Sequence, residues 1–143
     1  KQKTAYEIMP SLVGSEMCIE TVLVQDELRL RKPEEVWWFL HTEAKAKLSS
    51  DKRKALLSQR GKTLEVELLA PKGAAFNIMQ ASPLPSSPNP LGQAKNRGVR
   101  KLAVHLKEVR RVRIVVRFVP GSSERKSALP IKALSAWKSF WSD

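Results

Sequence analysis

The chain has 143 residues, with 26 Lys and Arg against 14 Asp and Glu and a formal net charge of +12. This length fits one ordinary domain with one core, and the positive excess favours a polyanionic partner without specifying which one. Cys18 is the only cysteine, which excludes an intrachain disulfide and a thiolate metal cluster. No apolar run approaches the roughly 20 residues that a membrane-spanning helix needs.

The first nineteen residues, KQKTAYEIMPSLVGSEMCI, have neither a two-residue nor a 3.6-residue apolar period, so we expect them to lie outside the fold. They are similar to a peptide that recurs at the ends of unrelated conceptual translations when sequencing-adapter DNA is read as coding sequence. This similarity implies that residues 1–19, with Tyr6 and Cys18, are a non-native or disordered leader without a functional role.

From residue 20 onward, alternating apolar and polar residues broken by turn residues predict a series of strands. In TVLVQDELRLR, the residues Val22, Val24, Leu28 and Leu30 share one face. Pro33 is expected to interrupt, and EEVWWFLHTEAKAKLS then forms a strand that is apolar on both faces at its start. Two further segments, KALLSQ and TLEVELLA, flank RGK, in which Gly61 suits a tight hairpin turn, so a β-meander is the simplest arrangement.

The second half of the chain is predicted to contain a long loop between strands. After the strand AAFNIMQA, the segment SPLPSSPNPLGQAKNRG (residues 82–98, hereafter the proline-rich loop) is too rich in Pro, Ser, Asn and Gly for regular structure. VRKLAVHLK and RVRIVVRFVP follow as strands, with His105 on the more polar face. Near the end, Trp137, Phe140 and Trp141 are spaced by three and four residues, which favours a short C-terminal helix over a closing strand.

These patterns predict an all-β fold, an antiparallel β-sandwich of the jelly-roll type with six or seven strands. Residues 20–120 would form the sandwich, and residues 121–143 would be a C-terminal extension packed on it.

Candidate binding residues are concentrated in the strand that carries Arg111, Arg113 and Arg117 on one face. Arginines in this arrangement can bind phosphate, sulfate or carboxylate, but a solvated strand face has the same pattern. The aromatic residues Trp37, Trp38 and Phe39 similarly suit either stacking on sugars or bases or core packing, and adjacent aromatics on opposite faces favour the core.

The sequence contains little evidence for a catalytic or metal-binding motif. No nucleophile elbow or phosphate-cradling glycine loop is present. His41 and His105 are the only histidines, and no Asp, Glu or Cys completes a three-ligand zinc set at recognisable spacing.

The order of four segments resembles the C-terminal β-sandwich region of heparinase II/III-like polysaccharide lyases. These segments are VLVQDELRL, WWFLHTEA, GKTLEVELLAP and PLPSSPNPLGQAKNRGVRKLAVHL, and the match extends from about Thr21 to about Pro120. The resemblance implies a parent enzyme that cleaves uronic-acid polysaccharides, such as alginate or a glycosaminoglycan, by β-elimination. It also implies a periplasmic or extracellular location and an α-toroid domain upstream that supplies most of the catalytic machinery.

The resemblance further implies a structural zinc in some intact relatives, with His41 matching one of its ligands. The other ligands would lie upstream of residue 20, so we expect neither a complete zinc site, nor another cofactor, nor assignable catalytic residues in this chain.

The leading hypothesis is therefore a non-catalytic C-terminal β-sandwich from a lyase that acts on an acidic polysaccharide, with nucleic acid not an expected partner. One alternative is a basic binding module for a polyanion, either an acidic glycan or a nucleic acid. Another is a purely structural domain that packs against a catalytic one.

Overall fold

The computed structural model describes residues 21–121 and 130–137. They form six strands and one short 3-10 helix. The strands are β1 (Val22–Thr42), β2 (Lys45–Leu48), β3 (Lys54–Gln59), β4 (Lys62–Ala70), β5 (Phe76–Gln80) and β6 (Arg100–Pro120), and the 3-10 turn is Leu134–Ala136. Within these ranges, none of the helical segments has the length and hydrophobicity of a membrane-spanning helix.

The strands form one antiparallel sheet in the order β1-β6-β4-β3-β2, and β5 also pairs with β6. The predicted all-β fold class is confirmed, and β2, β3 and β4 form the predicted meander. Because the described strands belong to a single open sheet, the two-layered sandwich and its jelly-roll topology stay predictions.

Strands β1 and β6 are each 21 residues long, and they pair with each other along both of their halves. The sequence predicted a break at Pro33 and another between residues 107 and 111, but each strand continues through its break. The ladder absorbs the irregularity instead, with register shifts between Arg29 and Val36, and Glu108 adopts a positive φ of 51°. Bulges of this kind bend a strand without ending it.

The hairpin between β3 and β4 has the turn that the sequence predicted. Arg60 and Gly61 are its two central residues, and both have positive φ, 50° and 73°. Two consecutive positive values are typical of the type I′ turn, which matches the twist of the flanking strands.

The core lies on one face of the sheet, where the even-numbered residues of β1 and β6 point. Fully buried Phe76, Leu68, Leu102 and Ile114 belong to one cluster, so both halves of β6 contribute to the same core. Trp38 packs at its edge, with its ring 6.3 Å from that of Phe76.

The C-terminal segment 130–137 contacts the first half of β1 on the opposite face. Gln25 Nε2 donates to the Lys132 carbonyl at 2.6 Å, and the Leu134 amide donates to Glu27 Oε1 at 2.9 Å. Gln25 is consequently buried, whereas Val22 and Val24 on the predicted apolar face are exposed at the sheet edge. Leu134–Ala136 forms a 3-10 turn, while most of the predicted C-terminal helix, including Phe140 and Trp141, lies outside the described residues, as does the leader 1–19.

Candidate functional site

The face of the sheet opposite the core, hereafter the outer face, contains the aromatic residues that the sequence singled out. On β1 it presents Trp37, Phe39 and His41, as the alternation predicted. Their direct partners on β6 are His105, Ala103 and Lys101 respectively.

These side chains form a continuous stack. The Trp37 ring lies parallel to the His105 ring, with centroids 3.8 Å apart and an interplanar angle of 5°. The Phe39 ring centroid lies 5.6 Å from that of Trp37, with the two rings inclined by 21°, and the Lys101 ammonium lies 4.4 Å from the centroid of the Phe39 ring. His105 therefore covers one face of Trp37 and Lys101 one face of Phe39, which reduces the flat surface on which a sugar or a base could lie.

The Glu35 carboxylate contacts two rings at the Trp37–His105 end of this stack. Glu35 Oε1 accepts a hydrogen bond from the Trp37 indole at 3.0 Å and lies 2.5 Å from His105 Nε2. A single oxygen thus fixes the orientation of both rings, and His105 can donate to it when Nε2 carries the proton. A shallow depression lined by Pro33, Glu35, Lys107 and Glu108 adjoins His105.

The Phe39 end of the stack contains a buried cation, the ammonium of Lys101. Lys101 is only 4% exposed, and its Nζ donates to the Ser82 carbonyl at 2.7 Å. The carbonyl dipole and the Phe39 ring together offset part of the cost of removing this charge from water. Lys101 therefore connects the outer face to the start of the proline-rich loop.

The three arginines predicted to bind substrate share the outer face of β6, but two of them already have carboxylate partners. Arg113 Nε donates to Glu27 Oε1 at 2.8 Å, and Arg117 donates to Glu67 through Nε at 3.1 Å and also through Nη2. Arg111 is exposed and makes no ion pair within the described ranges. Its role in substrate binding stays a prediction, and a ligand at Arg113 or Arg117 would have to compete with an existing pair.

The Glu27 carboxylate has a second partner that changes its acidity. The Leu134 backbone N–H, followed by Arg113, lowers the pKa of Glu27 below its ordinary value. The ionised form of Glu27 therefore holds both the arginine of β6 and the C-terminal segment.

His41, the predicted metal ligand, is exposed at the end of β1, and its ring centroid lies 6.2 Å from that of Phe39 in an edge-to-face arrangement. Within residues 21–121 and 130–137, no group of three His, Cys, Asp or Glu side chains is placed to hold a metal ion. A metal role for His41 requires ligands from elsewhere and stays a prediction.

Comparison with protein-family models finds no matching family, and comparison with curated proteins finds no similar sequence.

Sequence reasoning missed Glu35 as a member of the outer-face cluster, and it placed Lys101 on the same face as His105 without giving it a role. Both residues are at odd-numbered positions of β1 and β6, like Trp37 and His105, so the two-residue period of a strand is enough to place them on this face. What the sequence lacked was the register that sets His105 against Trp37, because 68 positions of chain separate these residues.

Proposed function

We propose that the chain is the C-terminal β-sandwich region of a heparinase II/III-like polysaccharide lyase, with the β-domain at about residues 20–120. The intact parent cleaves an acidic, uronic-acid-containing polysaccharide by β-elimination, using a base and an acid from a helical domain upstream. This chain alone is non-catalytic and contributes packing and ligand contacts.

The observation that carries the proposal is the way in which the resembling segments meet. VLVQDELRL and WWFLHTEA are the two halves of β1, while GKTLEVELLAP covers β4 and its turns, and GVRKLAVHL begins β6. Strand β6 pairs with β1 along both halves and with β4. Segments that are far apart in sequence are thus neighbours in one sheet, as expected if they were retained together as a single domain.

The arrangement of the outer face favours a supporting role over chemistry. Glu35 and His105 form a carboxylate–histidine pair, but the His105 ring is stacked on Trp37 and its Nε2 faces Glu35. Both groups are consequently engaged with each other and with the stack.

The test is the genomic sequence upstream of residue 20, followed by expression of the whole reading frame. An in-frame α-toroid with His, Tyr and Arg candidates, and a protein that releases unsaturated uronate from alginate, heparin or heparan sulfate, would support the proposal. The isolated chain should give no rise in unsaturated-uronate absorbance. A start codon near residue 20, or β-elimination by the chain alone, would exclude it.

The second candidate is a basic module that binds a polyanion without chemistry. A specific observation favours it: the segment from Pro71 to Lys107 has no Asp or Glu but several cations. A salt titration discriminates a nucleic-acid ligand, because binding dominated by phosphate contacts weakens steeply as salt rises.

A further inference from the structure

The proline-rich loop and the residues at its two ends, Gln80 to Ala81 and Val99 to Arg100, line an open cavity of about 670 Å³. Cavities that bind small molecules have volumes of roughly 300–1,000 Å³. Its size is therefore sufficient for a short oligosaccharide, and neither the outer-face stack nor Arg111, Arg113 or Arg117 lines it.

The loop is anchored at its base. The Ala81 amide donates to the Val99 carbonyl at 3.3 Å, the Val99 amide donates to the Asn96 carbonyl at 3.2 Å, and buried Lys101 holds the Ser82 carbonyl. Prolines restrict the backbone of its first half, at positions 83, 85, 88 and 90. Fewer conformations are then lost on binding, which improves affinity.

The charge around this cavity is of one sign. Lys95, Arg97 and Arg100 line it, and no acidic side chain does. All three cations are exposed, and within the described ranges none of them takes part in an ion pair. This contrasts with Arg113 and Arg117, whose charges are matched by glutamates.

Apart from Ser82, the remaining polar side chains of the lining are amides, which can both donate and accept hydrogen bonds and so match the hydroxyl groups of sugars. They are Gln80, Asn89, Gln93 and Asn96. None of the lining residues is aromatic, so the base stacking on which single-stranded nucleic-acid sites depend is missing.

We propose that this cavity binds a short carboxylated oligosaccharide, with Lys95, Arg97 and Arg100 on the carboxylates and the amides on the hydroxyls. The anion preference follows from the cavity's own charges, whereas the choice of a saccharide rests in part on the proposed function. The site would hold a stretch of the acidic polysaccharide chain.

Isothermal titration of the full chain with an alginate trisaccharide, at about 50 mM salt to limit screening, tests the proposal. A neutral trisaccharide of glucose is the ligand control. The paired substitution Lys95→Ala with Arg97→Ala should weaken binding about tenfold or more, because charge-assisted hydrogen bonds are lost. The control pair Lys45→Ala with Lys47→Ala removes the same charge from two exposed positions on β2, and it should change the affinity by less than about twofold. Thermal melting checks that each variant is folded.

The proposal is overturned if both pairs weaken binding equally, if Arg111→Ala abolishes binding while the loop pair does not, or if the neutral trisaccharide binds as tightly. It is also overturned if single-stranded RNA binds with the same loop dependence and more tightly than the alginate trisaccharide. If the loop substitutions weaken trisaccharide binding but no α-toroid is encoded upstream, the binding site is supported and the lyase parent is refuted. If the parent is a lyase but the loop substitutions leave binding unchanged, the lyase parent is supported and the binding site is refuted.

Discussion

Replacing Arg53 should strongly destabilise the fold, because one guanidinium satisfies three backbone carbonyls. Nη1 donates to the carbonyls of Pro71 at 2.9 Å and Ala74 at 2.7 Å, and Nη2 donates to that of Leu68 at 2.6 Å. A hydrogen bond from a charged donor contributes about 1.5–3 kcal/mol. The three share one side chain and are partly reached by water, so we expect Arg53→Ala to lower the free energy of unfolding by about 3 kcal/mol.

Urea denaturation followed by tryptophan fluorescence measures this loss directly. Arg53→Lys keeps the charge but not the planar fork of donors, so it should recover less than half of the loss. Lys72→Ala is the matched control, since it removes an exposed cation from the same turn and should change stability by less than about 0.5 kcal/mol. If Arg53→Ala loses under about 1 kcal/mol, or if Arg53→Lys equals the unsubstituted protein, the guanidinium does not stabilise the turn as argued.

Two further predictions concern the segments that flank β6. The Leu134 amide lowers the pKa of Glu27, so the hydrogen bond between them stabilises the fold above the unfolded-state pKa of Glu27. This stabilisation is lost as the pH falls through the lower pKa that Glu27 has in the folded protein. The Leu134 amide resonance should shift over that pH range, whereas in Glu27→Gln it should not. A β-carbon at Gly121 would overlap Thr63 Oγ1, so Gly121→Ala should destabilise the protein, and adding Thr63→Ala should restore about 1 kcal/mol in denaturant midpoints. Additive costs would refute the second prediction.

The faces of the long strands could be predicted from the sequence because a strand has a strict two-residue period. Alternation alone placed Trp38 apart from Trp37, Phe39 and His41, and the structure has Trp38 at the core and the other three on the outer face. The hairpin at Gly61 was equally readable, since its turn chemistry is local.

The continuity of β1 and β6 could not be read from the sequence, because it depends on partners distant in the chain. Pro33 lacks an amide to donate, yet β1 lies at the edge of the sheet order and tolerates a local register shift there. The burial of Gln25 likewise depends on the C-terminal segment, which reaches it from 107 positions away.

The distribution of charge links the sheet to the proposed site. Register sets Arg113 opposite Glu27 and Arg117 opposite Glu67, so these two arginines are neutralised across neighbouring strands. Within the described ranges, Arg111 and the cations around the proline-rich loop have no such carboxylate partner. Lys101 joins the two regions, since its ammonium rests on the Phe39 ring and holds the Ser82 carbonyl. The aromatic stack thereby positions the start of the loop, and substitutions in the stack should disturb ligand binding at the cavity without touching the ligand.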